Sequence, residues 1–317
     1  MDRRKFITRT IGGASLLAVS GVNNLYAWGQ SNSDNKLPAI LGGAKSHHDM
    51  WPEWPAWKTA YEEKVLEVLR SRVWSRAKVT AEFEAKWAEL IGTKRCLSVV
   101  NGTSALIASV SQFNIGPGDE VIVPPYTFIA TIQAVLLNGA LPVFADIDPR
   151  TFQIDPAKIE AKITSRTKAI IPVHILGIPA DMTRIMAIAR KHNLIVIEDA
   201  CQAHLAEVKD KRVGSIGDAG CFSFQTSKNM PIGEGGAITS DNETFMDQCF
   251  SYHNLGLPYG TQVGSVSGGG IRVGSKIRFT EYQAAIGLVQ LTNLEKDTNI
   301  RWDNAQYLSK KIKDIPG

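Results

Sequence analysis

Cysteine is scarce. The four in 317 residues, Cys96, Cys201, Cys221 and Cys249, form no CxxC pair and no ladder of spacings. That excludes a disulfide framework and argues against a structural zinc, and no other metal-ligand motif stands out, so no metal is expected. The four read as small buried residues. An excess of one charge is also missing. Lys and Arg number 35 against 31 Asp and Glu, and part of the +4 surplus sits at Arg3, Arg4, Lys5 and Arg9. Charge therefore makes no case for a nucleic-acid groove. No apolar run reaches the length that spans a bilayer. There is no 20–50-residue repeat and no low-complexity block. What remains is ordinary globular composition, 44% hydrophobic and 21% charged, long enough for one large domain or two.

The N-terminus reads as an address rather than as fold. Residues 2–8, Asp-Arg-Arg-Lys-Phe-Ile-Thr, precede a short apolar stretch from Ile11 to Val22 that contains Gly12, Gly13 and Gly21. A charged start before a short apolar stretch is a signal-peptide layout, and Arg3-Arg4 followed by Phe6 resembles a twin-arginine signal. The expectation is a leader over 1–27, cut near Ala27, and a protein exported by the twin-arginine route to the periplasm. Without a working leader it would stay cytoplasmic. Residues 28–50, rich in Gly, Ser, Asn and Asp, read as a linker. The cluster Trp51-Pro-Glu-Trp54-Pro-Ala-Trp57 reads as a local anchor on the domain surface, with a sugar-stacking platform as the alternative.

From residue 58 helix and strand patterns alternate. Amphipathic helices are predicted over 58–71 and 80–91. Strands are predicted over 96–100, 120–123, 141–145, 168–172 and 194–198, with helices between them over 103–112, 127–138, 155–163 and 181–192. Two further strands fall at 219–224 and 236–240, and two helices at 280–295 and 300–313. Apolar strands separated by helices indicate an α/β fold with one large, mostly parallel sheet covered by helices.

Ligands of open α/β sheets sit outside the carboxyl ends of the strands. After the first strand comes Asn101-Gly102-Thr103-Ser104, running straight into a helix. The free amides of a helix start, a glycine and two hydroxyls make a phosphate cradle; the bland alternative is a plain cap by Thr103 or Ser104. The fifth strand ends in Glu198-Asp199, and a carboxylate at a buried strand mouth needs a partner. Gln202 and His204 follow. After Cys221-Phe222-Ser223-Phe224 comes Gln225-Thr226-Ser227-Lys228-Asn229, then Gly233-Glu234-Gly235-Gly236. A lysine near apolar walls can form imines. Phosphate cradle, carboxylate and lysine are together what pyridoxal phosphate requires.

The sequence here resembles the DegT/DnrJ/StrS family of sugar aminotransferases, from about residue 51 onward. The resemblance is carried by Asn101–Leu106, Val123–Thr131, Gly139–Asp148, Pro172–His174, Glu198–His204, Phe222–Asn229, Gly233–Gly236 and Glu281–Gly287. It implies the fold type I architecture of pyridoxal-phosphate transferases. A large cofactor-binding domain would span 51–300. Residues 301–317 would begin a smaller C-terminal domain that is incomplete here. By resemblance, Lys228 holds the cofactor as an imine and moves the proton, and Asp199 faces the pyridine nitrogen. Gln202 lies near the ring hydroxyl and Phe128 stacks on the ring. Gly102, Thr103 and Ser223 bind the phosphate with Ser104 nearby. His174 matches a position near the site, with a satisfied core histidine as the alternative, and so does His204.

The implied reaction moves an amino group from glutamate or glutamine to a keto-sugar, in a homodimer. A pyridoxal-phosphate sugar dehydratase is a rival, but that branch replaces the lysine by histidine. A non-catalytic binding or regulatory protein is another. A nicotinamide enzyme is disfavoured, because no GxGxxG follows the first strand. Two departures from the family pattern stand out. Leu205 replaces the glycine after Gln-Ala-His, and Lys276 replaces an asparagine that in relatives often reaches the partner's cofactor phosphate.

Overall fold

The computed structural model describes residues 37–261 and 269–315. The predicted leader lies outside the described residues, as does the first part of the linker. The chain divides into two compact units, Met1–Glu53 and Trp54–Gly317. Of the first, residues 37–53 carry one 3-10 turn, Ala39–Leu41, and none of them is buried. His47 stacks on Trp51 with ring centroids 4.3 Å apart. The boundary thus divides the tryptophan cluster, leaving Trp51 in the first unit and Trp54 and Trp57 in the second.

The second unit begins with helices α1 (Glu62–Ser71) and α2 (Lys78–Ile91). Strand β1 (Arg95–Val99) leads into α3 (Gly102–Gln112), and β2 (Glu120–Val123) into α4 (Ala130–Leu137). Then come β3 (Leu141–Phe144), the short α5 (Pro156–Ile159), β4 (Thr167–Ile170), α6 (Met182–His192) and β5 (Ile195–Asp199). A small hairpin, β6 (Glu207–Val208) and β7 (Lys211–Arg212), precedes β8 (Ala219–Ser223) and β9 (Gly236–Ser240). Helices α7 (Glu243–His253) and α8 (Glu281–Ile312) complete the unit.

Seven strands form one sheet in the order β1-β9-β8-β5-β4-β2-β3. Pairs β2–β3, β2–β4, β4–β5 and β5–β8 are parallel, while β9 runs antiparallel to both neighbours. The expected mostly parallel sheet is therefore present. The reversal at β9 has a local cause. The 12 residues between β8 and β9 hold no helix, so the chain returns beside β8 rather than crossing over.

Strand alternation feeds two cores. Val121 and Val123 of β2 pack with Leu106, Val110 and Phe245 from α3 and α7, while Ile122 packs with Ile170, Ile185 and Val196 on the opposite face. Strands buried on both faces read as continuous apolar runs, which is why these were visible in the sequence. A third cluster is aromatic. Trp87 and Phe83 of α2 meet Phe224 edge-on at 4.9 and 5.5 Å, all fully buried. Truncating a side chain such as Trp87 typically costs ~3–5 kcal/mol.

Two helix assignments change. The predicted helices at 280–295 and 300–313 are one continuous α8. The polar stretch Lys296-Asp-Thr-Asn299 contains no glycine or proline, so nothing interrupts the ladder. Thr280 starts α8 with a capping box to Gln283. The buried Glu281 beside it accepts from the amides of Ala77, Val79 and Thr80 and from the Thr80 hydroxyl, at 2.6–2.9 Å. One carboxylate on α8 thereby takes the free amides of Val79 and Thr80 in the first turn of α2 and that of Ala77 before it.

Candidate active site

Five loops at the carboxyl ends of the strands enclose a cavity of about 410 Å³. The turn from β1 into α3 supplies its floor. Asn101 is extended and caps α3, its Oδ1 accepting from Ser104 N at 2.8 Å. The cap is thus Asn101 rather than Thr103 or Ser104. The first intrahelical bond is Ala105 N to Asn101 O at 3.1 Å, so the amides of Gly102 and Thr103 have no intrahelical acceptor. Both residues line the cavity; Ser104 does not. Ser223, 8% exposed at the end of β8, adds a hydroxyl opposite.

Asp199 ends β5 and is 5% exposed. Its Oδ2 accepts from Thr131 Oγ1 at 2.6 Å and its Oδ1 from Cys201 N at 3.2 Å. An ionised carboxylate offers about four lone-pair sites, so capacity remains for a donor in the cavity. Burial pushes the Cys201 thiol well up, with the Asp199 carboxylate adding to it, so Cys201 is a neutral wall. Lys228 stands on the loop between β8 and β9. That loop is tied by Thr226 N to Gly233 O at 2.9 Å and by Lys228 N to Gln225 O at 2.8 Å. Trp54 Nε1 also donates to Thr226 O at 3.0 Å, which gives that part of the tryptophan cluster an anchoring role.

Gln202 Oε1 accepts from Leu176 N at 2.9 Å, which leaves its NH2 free to donate. Phe128 lines the cavity although 64% of it is exposed. The structure therefore gathers Gly102, Thr103, Phe128, Asp199, Gln202, Ser223 and Lys228 around one space. Thr131, which holds Asp199, was not singled out in the sequence. Its signal was a buried hydroxyl one helical turn after Thr127 in the Val123–Thr131 motif, and the two hydroxyls are 2.8 Å apart.

The two histidines part company. His174 is fully buried; Ala180 N donates to its Nδ1 at 3.0 Å, so Nε2 carries the proton and donates to Glu198 Oε2 at 3.0 Å. It is a satisfied core histidine, outside the cavity lining. His204 is 3% exposed among Trp87, Phe222 and Phe224, and neither ring nitrogen makes a well-formed hydrogen bond among the described residues. Burial pulls its pKa down to about 4. Leu205, where relatives carry glycine, holds φ at 63°, so the left-handed turn persists with a side chain on it. Such a residue costs roughly 1 kcal/mol. Lys276 is exposed and outside the cavity lining.

These residues fit pyridoxal phosphate. Gly102 is required where it stands: a Cβ there would lie 2.7 Å from Ser223 Cβ and 2.8 Å from Cys201 Sγ. Free amides with hydroxyls suit the phosphate, Phe128 a ring face, Asp199 a ring N–H and Lys228 an aldehyde. The fold is that of a pyridoxal-phosphate transferase, and the residues around the cavity fit its cofactor.

Residues 56–317 match the DegT/DnrJ/EryC1/StrS aminotransferase family, and the chain belongs to it. The family's enzymes are aminotransferases that use pyridoxal phosphate, and solved relatives hold its PMP form. The spore coat polysaccharide biosynthesis protein SpsC of Bacillus subtilis is 39% identical over 260 residues, 80% of this chain and 67% of SpsC. GDP-perosamine synthase of Caulobacter vibrioides is 43% identical over 231 residues, 73% of this chain and 61% of the synthase. The solved aminotransferase of Psychrobacter cryohalolentis superposes with a TM-score of 0.80 at 38% identity, covering 83% of this chain and 69% of that one. The chain thus spans about two thirds of the length of these relatives.

A pH dependence follows from the buried histidines. His253, in α7, is likewise buried and pulled down to about 4 by desolvation. Each group binds a proton in the unfolded chain near pH 6.5 but in the folded chain only near 4. Stability is therefore full above pH 6.5 and falls as pH drops from there to 4, by roughly 2 kcal/mol per histidine at about pH 5. Urea titrations at pH 7 and 5 should show that loss, and His204→Gln should shrink it. An unchanged pH dependence in His204→Gln would refute the assignment.

Proposed function

We propose that this chain transfers an amino group from glutamate or glutamine to a keto-sugar and acts as a homodimer. The observation that carries the reading is that Lys228 and Asp199 line one cavity whose floor is the open N-terminus of α3. The sugar acceptor is supported by relatives such as GDP-perosamine synthase. When bound, pyridoxal phosphate supplies an electron sink for the carbon that exchanges the amino group. The chain's own residues do the rest. The α3 amides and the Thr103 and Ser223 hydroxyls orient an anion. Asp199, held by Thr131, keeps a proton on a nitrogen placed against it. Lys228 Nζ would take the proton from the donor's amino-bearing carbon and return it two atoms away, to the carbon on the far side of the nitrogen.

The protein should show a visible chromophore that borohydride fixes onto the Lys228 peptide, and Lys228→Ala should lower turnover by roughly 10²–10⁴-fold or more. Aminated product at the wild-type rate from Lys228→Ala would end the proposal.

The dimer is supported by an apolar surface beside the cavity. Phe128, Ile129, Leu136 and Leu137 along α4, with Leu141 and Phe144 of edge strand β3, are all exposed. Phe128 belongs both to that surface and to the cavity, so a second copy would cover the ring site. Sedimentation equilibrium should give about twice the chain mass; a single-chain mass would exclude the dimer.

Export is supported by the Arg3-Arg4 leader pattern alone. Twin-arginine transport carries folded proteins, so a bound cofactor could travel inside. Fractionation of expressing cells should find the protein in the periplasm and Arg3→Lys/Arg4→Lys retained inside. Equal cytoplasmic retention of both would refute export.

A further inference from the structure

A second cavity, about 640 Å³, adjoins the first, and Gln202, Ser227 and Lys228 line both. Its other walls come from the loop after β4, the turn after β5 and one stripe of α8. Thr298, Arg301 and Ala305 recur on that stripe at spacings of three and four, so they share a helix face.

The charge of this cavity is one-sided. Its lining holds two cations, Lys228 and Arg301, and no carboxylate. Some of its polar groups are also unmatched. Thr298 Oγ1 and Arg301 Nη1 are buried without a hydrogen-bond partner among the described residues, and neither ring nitrogen of His204 makes a well-formed one. Buried polar groups without partners are costly, and these belong to residues that line this cavity. His204 feels both cations, which along with burial keep it neutral near pH 7. It can therefore donate one N–H without adding charge.

Arg301 is also held in place. Its guanidinium lies 4.7 Å from the centre of the Trp54 ring, and Trp54 is fastened to the Lys228 loop through Thr226. A stacked guanidinium is a prepared fork for a planar anion. The donor's amine must reach Lys228, and in an amino acid the carboxylate is only two bonds from that amine. Lys228 itself borders the adjoining cavity. Leu176, Ile178 and Trp302 supply apolar wall for a short methylene chain.

We propose that Arg301, with Thr298 and His204 beside it, forms the subsite that receives a carboxylate of the amino donor. This rests on the aminotransferase reading above and adds the residues that select an acidic donor.

The test uses the cofactor-loaded protein and glutarate, which keeps the two carboxylates of glutamate without the amine. Calorimetric titration should show glutarate binding weakened about 10–100-fold in Arg301→Gln, partly restored in Arg301→Lys, and weakened less in Thr298→Val. In turnover, KM for glutamate should rise in Arg301→Gln while KM for the keto-sugar holds. Trp54→Leu, which keeps the charge but removes its support, should fall between. Glutarate binding in Arg301→Gln within about twofold of wild type overturns the subsite. So does a rise confined to KM for the sugar, which would give the cavity to the acceptor. The Lys228 chromophore separates the two claims. Its absence from the wild type defeats the aminotransferase reading, whereas its presence with unchanged glutarate binding defeats only the subsite.

Discussion

The close approach of the α3 start to strands β8 and β9 is the constraint on which the site depends. Gly102 touches Ser223 and Cys201, with no room for a Cβ. Across the contact, a Cβ on Gly236 would fall 2.3 Å from Asn101 C. Two absent side chains let helix and sheet meet backbone to backbone. That contact puts the free amides of α3 within one cavity's width of Asp199 and Lys228. A helix start half a side chain further out would still be an anion site, but it would no longer face the same ligand.

Buried carboxylates elsewhere show why Asp199 is different. Glu281 accepts four hydrogen bonds. Glu198 accepts from Ile216 N, Gly217 N and His174. Glu84 receives Ser98 N, the Ser98 hydroxyl and Arg76, and burial still holds its pKa above the usual carboxylate range. These groups are nearly saturated and fix turns and helix ends. Asp199 makes only two such bonds, and it borders a cavity. Spare acceptor capacity, more than burial, sets Asp199 apart from the carboxylates that hold the fold.

Much of this was legible because the information is local. Strands β2 and β9 fall where the apolar runs placed them, and Asp199 and Lys228 follow strand ends as ligand groups of open sheets do. The less legible features are those set by distant partners. Thr131 matters through a residue 68 positions away. The Glu281 cap joins segments about 200 residues apart. Helix α7 was not assigned although Asn242 caps it and Phe245, Met246, Cys249 and Phe250 recur at helical spacing. Helix α8 was divided because a polar stretch resembles a loop when the buried face it continues is out of view. Arg301 lies just beyond that stretch, and its neighbour Trp54 is about 250 residues away in sequence, so the contact could not be seen.

The Lys228 loop must be firm without being buried. Thr226 and Ser227 are exposed, so packing cannot fix them. Hydrogen bonds do so instead. Gly233 O receives both the amide and the hydroxyl of Thr226, and Gln225 Oε1 receives the Ser227 amide and hydroxyl at 2.8 and 2.7 Å. Trp54 closes the loop from outside and carries Arg301 on its ring. The same indole therefore contacts both the lysine's loop and the Arg301 guanidinium. Groups on one such support move together, so distances between lysine and guanidinium vary less than either side chain's own freedom would allow. A reaction that needs an amine and a carboxylate held in one geometry gains from that coupling.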